Sequence, residues 1–118
     1  MKQVLSTLSF TLTSGLGHLE LSQSPANQMT SEFFSDFNEM VDGLRVMRGL
    51  EAIVISSTGR HFSSGANLEE LLEQAVITGE DSFNTVNVNL KNGFEKNYRS
   101  FLFFEETEIP VIAAIRGV

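Results

Sequence analysis

Apolar and polar residues alternate over Leu8–Thr13, with Leu8, Phe10 and Leu12 set between Ser9, Thr11 and Thr13. A period of two puts successive side chains on opposite faces, so the stretch predicts a half-buried strand. Ser14-Gly15-Leu16-Gly17 supplies turn residues and His18-Leu19-Glu20-Leu21 alternates again, which together predict an antiparallel hairpin. Pro25 and Asn27 mark residues 22–28 as a loop. From Thr30 the period changes: Phe33, Phe34, Phe37, Met40, Val41, Leu44 and Met47 recur every three or four residues. That spacing lines one face of a helix, with Thr30 as its cap, Glu32 at its positive end and Arg45 and Arg48 at its negative end.

Ala52-Ile53-Val54-Ile55 is a short unbroken apolar run rich in β-branched residues, which predicts a strand buried on both faces in a parallel sheet. A loop through Gly59 and Gly65 leads to a second predicted helix. Asn67 and Glu70 form its capping box, Leu68, Leu71, Leu72 and Ala75 its apolar face, and Gly79 its end. Phe83, Val86, Leu90, Phe94, Phe101 and Phe104 keep helical spacing, although five asparagines from Asn84 to Asn97 weaken the propensity. This predicts a helix held by packing. Ile109-Pro110-Val111-Ile112-Ala113-Ala114-Ile115 reads as the next buried strand. Strands alternating with helices are an α/β signature.

Composition narrows the chemistry. The chain has 118 residues, enough for one domain, and its 42% hydrophobic content with ten Phe suffices for a packed core. It has no cysteine, which excludes disulfides, thiolate nucleophiles and Cys-based metal sites, and two histidines, His18 and His61, leave little for a metal. No metal site is expected. The net charge of −7, from 8 Lys and Arg against 15 Asp and Glu, offers no general attraction to nucleic acid or anionic lipid. The longest apolar run, Ile109–Ile115, is far below the ~20 residues that cross a bilayer. The N-terminus shows no secretory pattern, so a cytoplasmic protein is expected, without membrane or nucleic-acid partners.

The junction 59–67 is the richest segment. Amide groups at a helix start are unpaired and receive anionic oxygen, and the small residues Ser63, Ser64, Gly65 and Ala66 admit a ligand to the main chain. An ordinary strand-to-helix turn needs the same residues, so both readings stand at this point. Five residues separate Gly59 from Gly65 and no Lys-Ser/Thr follows, so the loop is not a Walker A motif; G-x-G-x-x-G and G-x-S-x-G are absent. The carboxylates Glu69-Glu70, Glu105-Glu106 and Glu108 read as solvated surface. The face formed by Phe94, Tyr98, Phe101 and Phe104 reads as core, and Met29, Met40 and Met47 as core filler. His18 reads as structural, and His61 as a surface residue or a weak ligand contact.

Taken together, these segments resemble the enoyl-CoA hydratase/isomerase, or crotonase, family. Ser24-Pro25-Ala26-Asn27-Gln28-Met29 is similar to the family's Pro-x-Asn-small-Leu entry to its first helix. Gly59-Arg60-His61-Phe62-Ser63-Ser64-Gly65-Ala66-Asn67-Leu68 resembles its G-x-x-F-(S/C/A)-(A/S)-G-A-D-L segment, and Ile109–Gly117 its P-V-I-A-A-(V/I)-x-G strand. The resemblance implies an α/β, crotonase-like (ClpP/crotonase) spiral of ββα units, with residues 1–118 forming the N-terminal part of one domain. It further implies a CoA-thioester enolate held by two backbone N–H groups, the first being that of Ala66. Pro25, Ala26, Asn27, Ser64, Gly65, Asn67 and Leu68 would border the coenzyme A, with Arg60 and His61 as the nearest cations for its phosphates. Coenzyme A enters as part of the acyl-CoA substrate, and no separate cofactor is implied. The implied assembly is a homo-oligomer, a trimer or hexamer.

Two departures stand out: Asn67 occupies the usual Asp position, and Glu69 an often basic one. The second oxyanion donor, the glutamate acid/base and the helices that assemble trimers follow Gly117 in the family pattern. Three readings compete: the first part of a hydratase or isomerase, a non-catalytic short form that binds acyl-CoA or pairs with a full-length subunit, and an unrelated nucleotide-binding domain. The failed loop motifs argue against the third.

Overall fold

A computed structural model describes residues 1–70, 72 and 83–117, with side chains described for 1–70, 72 and 94–117. Its elements are β1 (Lys2–Val4), β2 (Leu8–Thr13), β3 (Leu16–Leu21), α1 (Ser31–Arg45), β4 (Ala52–Ser57), α2 (Phe83–Glu106) and β5 (Val111–Ala113). Residues 68–70 and 72 are also helical. The described strands form one sheet in the order β1-β2-β3-β4-β5. β1, β2 and β3 run antiparallel, whereas β3, β4 and β5 run parallel. Both parallel steps are crossovers that carry a helix, as parallel strands require.

The alternation in the hairpin decides which face is covered. Leu8, Phe10, Leu19 and Leu21 point to one side and are buried with Ile53 of β4. Phe33, Phe37, Met40, Val41 and Leu44 of α1 close over them, with Phe103 of α2 joining the same cluster. Thr30 caps α1 as its spacing predicts, its Oγ1 accepting from the Phe33 N–H at 3.1 Å. The opposite sheet face is more polar, and there His18 and Ser56 meet, Nε2 to Oγ, at 2.6 Å. This agrees with a structural His18.

Several expectations need correction. β1 was not foreseen: its three residues are too few to show a period, and it forms by pairing with β2. β4 is not buried on both faces, since only Ile53 and Ser57 are fully covered. β5 is three residues long where seven were expected, and its Ile112 is 59% exposed. Both deviations share a cause, in that no described element packs on the second face of these strands. The helix over 83–106 forms as its spacing predicts, but Phe94, Tyr98 and Phe101 are not core; they are 53%, 63% and 40% exposed. Expectations for Leu71, Ala75 and Gly79, and for the side chains of Phe83, Val86 and Leu90, lie outside the described residues. Among the described residues, no helix is long and apolar enough to cross a membrane.

Candidate functional site

Two loops meet at the C-terminal ends of β3 and β4, and a buried asparagine joins them. Asn27 is 2% exposed and has a φ of 47°, a left-handed conformation that asparagine adopts more readily than most residues. Its Nδ2 donates to the Thr58 carbonyl at 3.1 Å and to the His61 carbonyl at 3.0 Å. Its Oδ1 accepts from the Gln23 N–H at 2.8 Å, and its own carbonyl accepts from the Ser63 hydroxyl at 2.8 Å. The side chain thus uses both amide hydrogens and its oxygen inside the fold. Asn27 therefore positions the site and does not present its amide to a ligand.

The next contacts run along the two loops like a short ribbon. The Ser64 N–H donates to the Ala26 carbonyl at 2.8 Å, and the Gly65 N–H to Ser63 Oγ at 3.1 Å. Gly65 has a φ of 89°, a region open to glycine at little cost, so the chain can turn there without a side chain in the way. Met29 and Ala66 then form an isolated parallel bridge. The Met29 N–H donates to the Gly65 carbonyl at 2.9 Å, and the Asn67 N–H to the Met29 carbonyl at 3.2 Å.

That bridge sets the direction of the Ala66 amide. When one residue bonds the neighbours on either side of its partner, the partner's own N–H and C=O face away. Ala66 N–H thus turns from the Met29 strand, and it has no acceptor among the described residues. Asn67 caps the following helical turn through Oδ1, which accepts from the Glu70 N–H at 3.0 Å. The reciprocal half of the expected capping box is absent, because Glu70 Oε2 accepts instead from the Ser31 N–H at 2.6 Å. Glu70 thereby ties the start of α1 to the loop that carries Ala66.

Ala66 lies in the wall of a cavity of about 610 Å³ between α1 and α2, a size typical of ligand sites. Met29, Phe34, Phe94, Tyr98 and Phe101 supply its apolar lining, and Ser31, Ser35, Asn38, Asn67, Glu70, Lys96 and Asn97 its polar and charged lining. Of the expected coenzyme-binding residues, Ala26, Asn27, Ser64, Gly65, Asn67 and Leu68 fall on the two adjoining loops or the turn that follows. Pro25, Arg60, Ser64 and Leu68 are exposed, while His61 is half-buried with its carbonyl taken by Asn27 and by the Ser57 hydroxyl at 3.2 Å. The chain after β5 returns to this region: the Phe62 N–H donates to the Arg116 carbonyl at 3.0 Å and Arg116 Nη2 to the Ser57 carbonyl at 3.2 Å. Gly117, at φ 68°, passes so close to the Arg60 carbonyl that a Cβ would collide with it.

Sequence reasoning did not find the cavity wall. Met29, expected as core filler, packs against the core and also bridges to Ala66 through its backbone. Phe94, Tyr98 and Phe101 were expected in the core and instead line the cavity. Asn38 was readable in principle, since it breaks the apolar stripe of α1 beside Phe37, yet it is 8% exposed.

The same fold occurs in solved structures. An enoyl-CoA hydratase from Shewanella pealeana ATCC 700345 superposes with a TM-score of 0.78 at 20% identity, covering 96% of this chain and 40% of that one. The chain carries the N-terminal part of the crotonase fold. A candidate enoyl-CoA hydratase from Thermobifida fusca YX, solved in complex with acetoacetyl-CoA, matches the crotonase-like chain with a TM-score of 0.73 at 24% identity over 95% of it and 44% of the neighbour. In sequence, the mitochondrial Delta(3,5)-Delta(2,4)-dienoyl-CoA isomerase of Mus musculus is 26% identical over 101 residues, 85% of this chain and 31% of the isomerase.

Beta-sarcoglycan of Homo sapiens is 34% identical over a shorter stretch of 71 residues, 60% of this chain and 22% of that protein. These two sequence likenesses point to different proteins. The superpositions that run through nearly the whole crotonase-like chain decide the fold in favour of the former. No family model matches the chain. It spans less than a third of the length of either of these sequence relatives and about two fifths of the solved chains.

Proposed function

We propose that this chain forms the first half of an acyl-CoA site of the enoyl-CoA hydratase/isomerase type, as the N-terminal part of a longer crotonase domain. The observation that carries this reading is the Ala66 N–H, turned out of the loop pair, without an acceptor among the described residues, and set in the wall of an apolar cavity. An amide so placed can donate to a thioester oxygen, and the bond strengthens as that oxygen gains charge on the way to an enolate. The cavity takes the acyl group, while the exposed loops around Pro25, Ala26, Ser64 and Leu68 border the coenzyme A. Arg60 offers an exposed guanidinium to phosphate oxygens. Coenzyme A arrives with the substrate. A second donor, the acid/base that distinguishes hydration from double-bond isomerisation, and the homo-oligomer contacts belong to the remainder of such a domain.

In a second reading the chain binds acyl-CoA or pairs with a full-length subunit without turning substrate over. One comparison tests both. Calorimetry with acetoacetyl-CoA and with free coenzyme A is expected to show tighter binding of the thioester. Ala66→Pro, which deletes the donor, is expected to remove that difference. In an assembly with full-length subunit or in the longer domain, the same change is expected to lower crotonyl-CoA turnover by roughly 100-fold or more. Equal binding of acetoacetyl-CoA by the parent and Ala66→Pro chains would place the thioester elsewhere. Binding without turnover in any assembly selects the second reading.

A further inference from the structure

Polar groups line the cavity along α1, starting beside the loop that carries Ala66. Ser31, Ser35 and Asn38 of α1 all line the cavity, which therefore follows the helix for two turns. Ser31 is bonded to Glu70, three residues after Asn67, and it follows Met29, the bridge partner of Ala66, by two residues. At 1.5 Å of rise per residue, Asn38 lies ~10 Å further along the axis than Ser31. A zigzag chain gains a little over 1 Å per C–C bond, so roughly eight to ten bonds cover that span.

At this far end the lining changes character. Asn38 is buried, its Nδ2 donates to Asn97 Oδ1 at 3.0 Å, and its Oδ1 accepts from the Ser100 hydroxyl at 2.5 Å. The Ser100 bond orients the Asn38 amide, and the Asn38 bond in turn orients Asn97, with its oxygen toward α1. Asn97 is half-buried, lines the same cavity, and its two amide hydrogens have no acceptor among the described residues. The Asn97 amide shares this wall with Phe34, Phe94 and Phe101 and with the polar Ser35 and Lys96; an alkyl chain end laid over it would displace water without replacing the hydrogen bond, whereas an acceptor oxygen would replace it.

We propose that the site selects acyl-CoA thioesters whose acyl group is of medium length and carries a hydrogen-bond-accepting oxygen near its far end, received by the Asn97 amide. This rests on the acyl-CoA reading given above and adds the substrate class. The distinction is one of specificity: the thioester is held at Ala66, and the distal oxygen decides which acyl group fits best.

Calorimetry on the full 118-residue chain with decanoyl-CoA and 9-oxodecanoyl-CoA tests it, since a ketone accepts but does not donate. The ketone ligand is expected to bind about fivefold more tightly, the effect of one net hydrogen bond. Asn97→Asp keeps the acceptor for Asn38 and removes the outward donor, so the ratio of the two affinities is expected to fall to about one, whatever the change in decanoyl-CoA affinity itself. Equal binding of the two ligands by the parent chain overturns the inference and leaves the acyl-CoA reading intact. Binding of neither overturns both. A preference that survives Asn97→Asp also overturns the assignment, and circular dichroism of the variant verifies that α2 is retained.

Discussion

Two regions of the molecule meet at Ala66, and they are built on opposite principles. On one side, the loop pair around Asn27 is polar, and its backbone and side-chain groups bond one another at 2.8 to 3.2 Å. On the other, α2 leans on α1 through aromatic rings and leaves much of Phe94, Tyr98 and Phe101 in contact with solvent or cavity. Directional bonds place an atom to within a fraction of an ångström, whereas apolar contact is non-directional and accommodates guests of varied shape. The contrast fits the division of labour in the proposed site, with a fixed donor beside an adaptable acyl cavity.

Replacing one phenylalanine on each side of this divide probes the contrast most strongly. Phe37 is 4% exposed and stacks between Phe33, at 5.4 Å, and Phe104, at 5.8 Å. Phe37→Ala is therefore expected to destabilise the chain by about 3–5 kcal/mol in urea unfolding, the cost of a cavity in a packed core. Next comes the polar side. Asn27→Gly keeps access to positive φ but deletes three side-chain hydrogen bonds, and is expected to cost about 2–3 kcal/mol. It should also weaken acetoacetyl-CoA binding, because Ala66 loses its support; unchanged affinity would show that the bridge to Met29 holds Ala66 unaided.

Phe101→Ala carries the smallest expected change in stability, within about 1 kcal/mol, since the ring is 40% exposed although it lies 4.8 Å from Phe37. Its effect should appear in ligand binding instead, as weaker association of decanoyl-CoA with affinity for free coenzyme A unchanged. A loss of stability equal to that of Phe37→Ala would mean that the cavity wall is part of the core after all, and the contrast would fail.

Much of the architecture was legible because its signals are local. The two-residue period of 8–13 and 18–21, the three-and-four spacing from Phe33 to Met47 and the cap at Thr30 each depend on a few neighbouring residues. The glycines of the 59–65 loop were legible for the same reason. Asn27 is expected from the resemblance as a ligand contact, and in the fold its side chain bonds Gln23, Thr58 and His61. A sequence shows which groups an amide carries, not which partners will take them.

What escaped the sequence depends on covering. Ala52–Ile55 and Ile109–Ile115 have the composition of fully buried strands, and the helix over 83–106 has an apolar stripe that looks like core. Whether such residues are buried is decided by what packs against them, and among the described residues nothing covers the second face of β4 and β5.

Taken alone, then, the sequence determined the elements, their order, the main apolar face and the loop bearing Ala66, because periodicity, capping and turn chemistry act over a few residues. Only the tertiary structure decided that the Ala66 amide turns outward. That outcome needs Met29 to bridge to its neighbours from 37 residues earlier in the chain, an arrangement of two loops that no local pattern encodes.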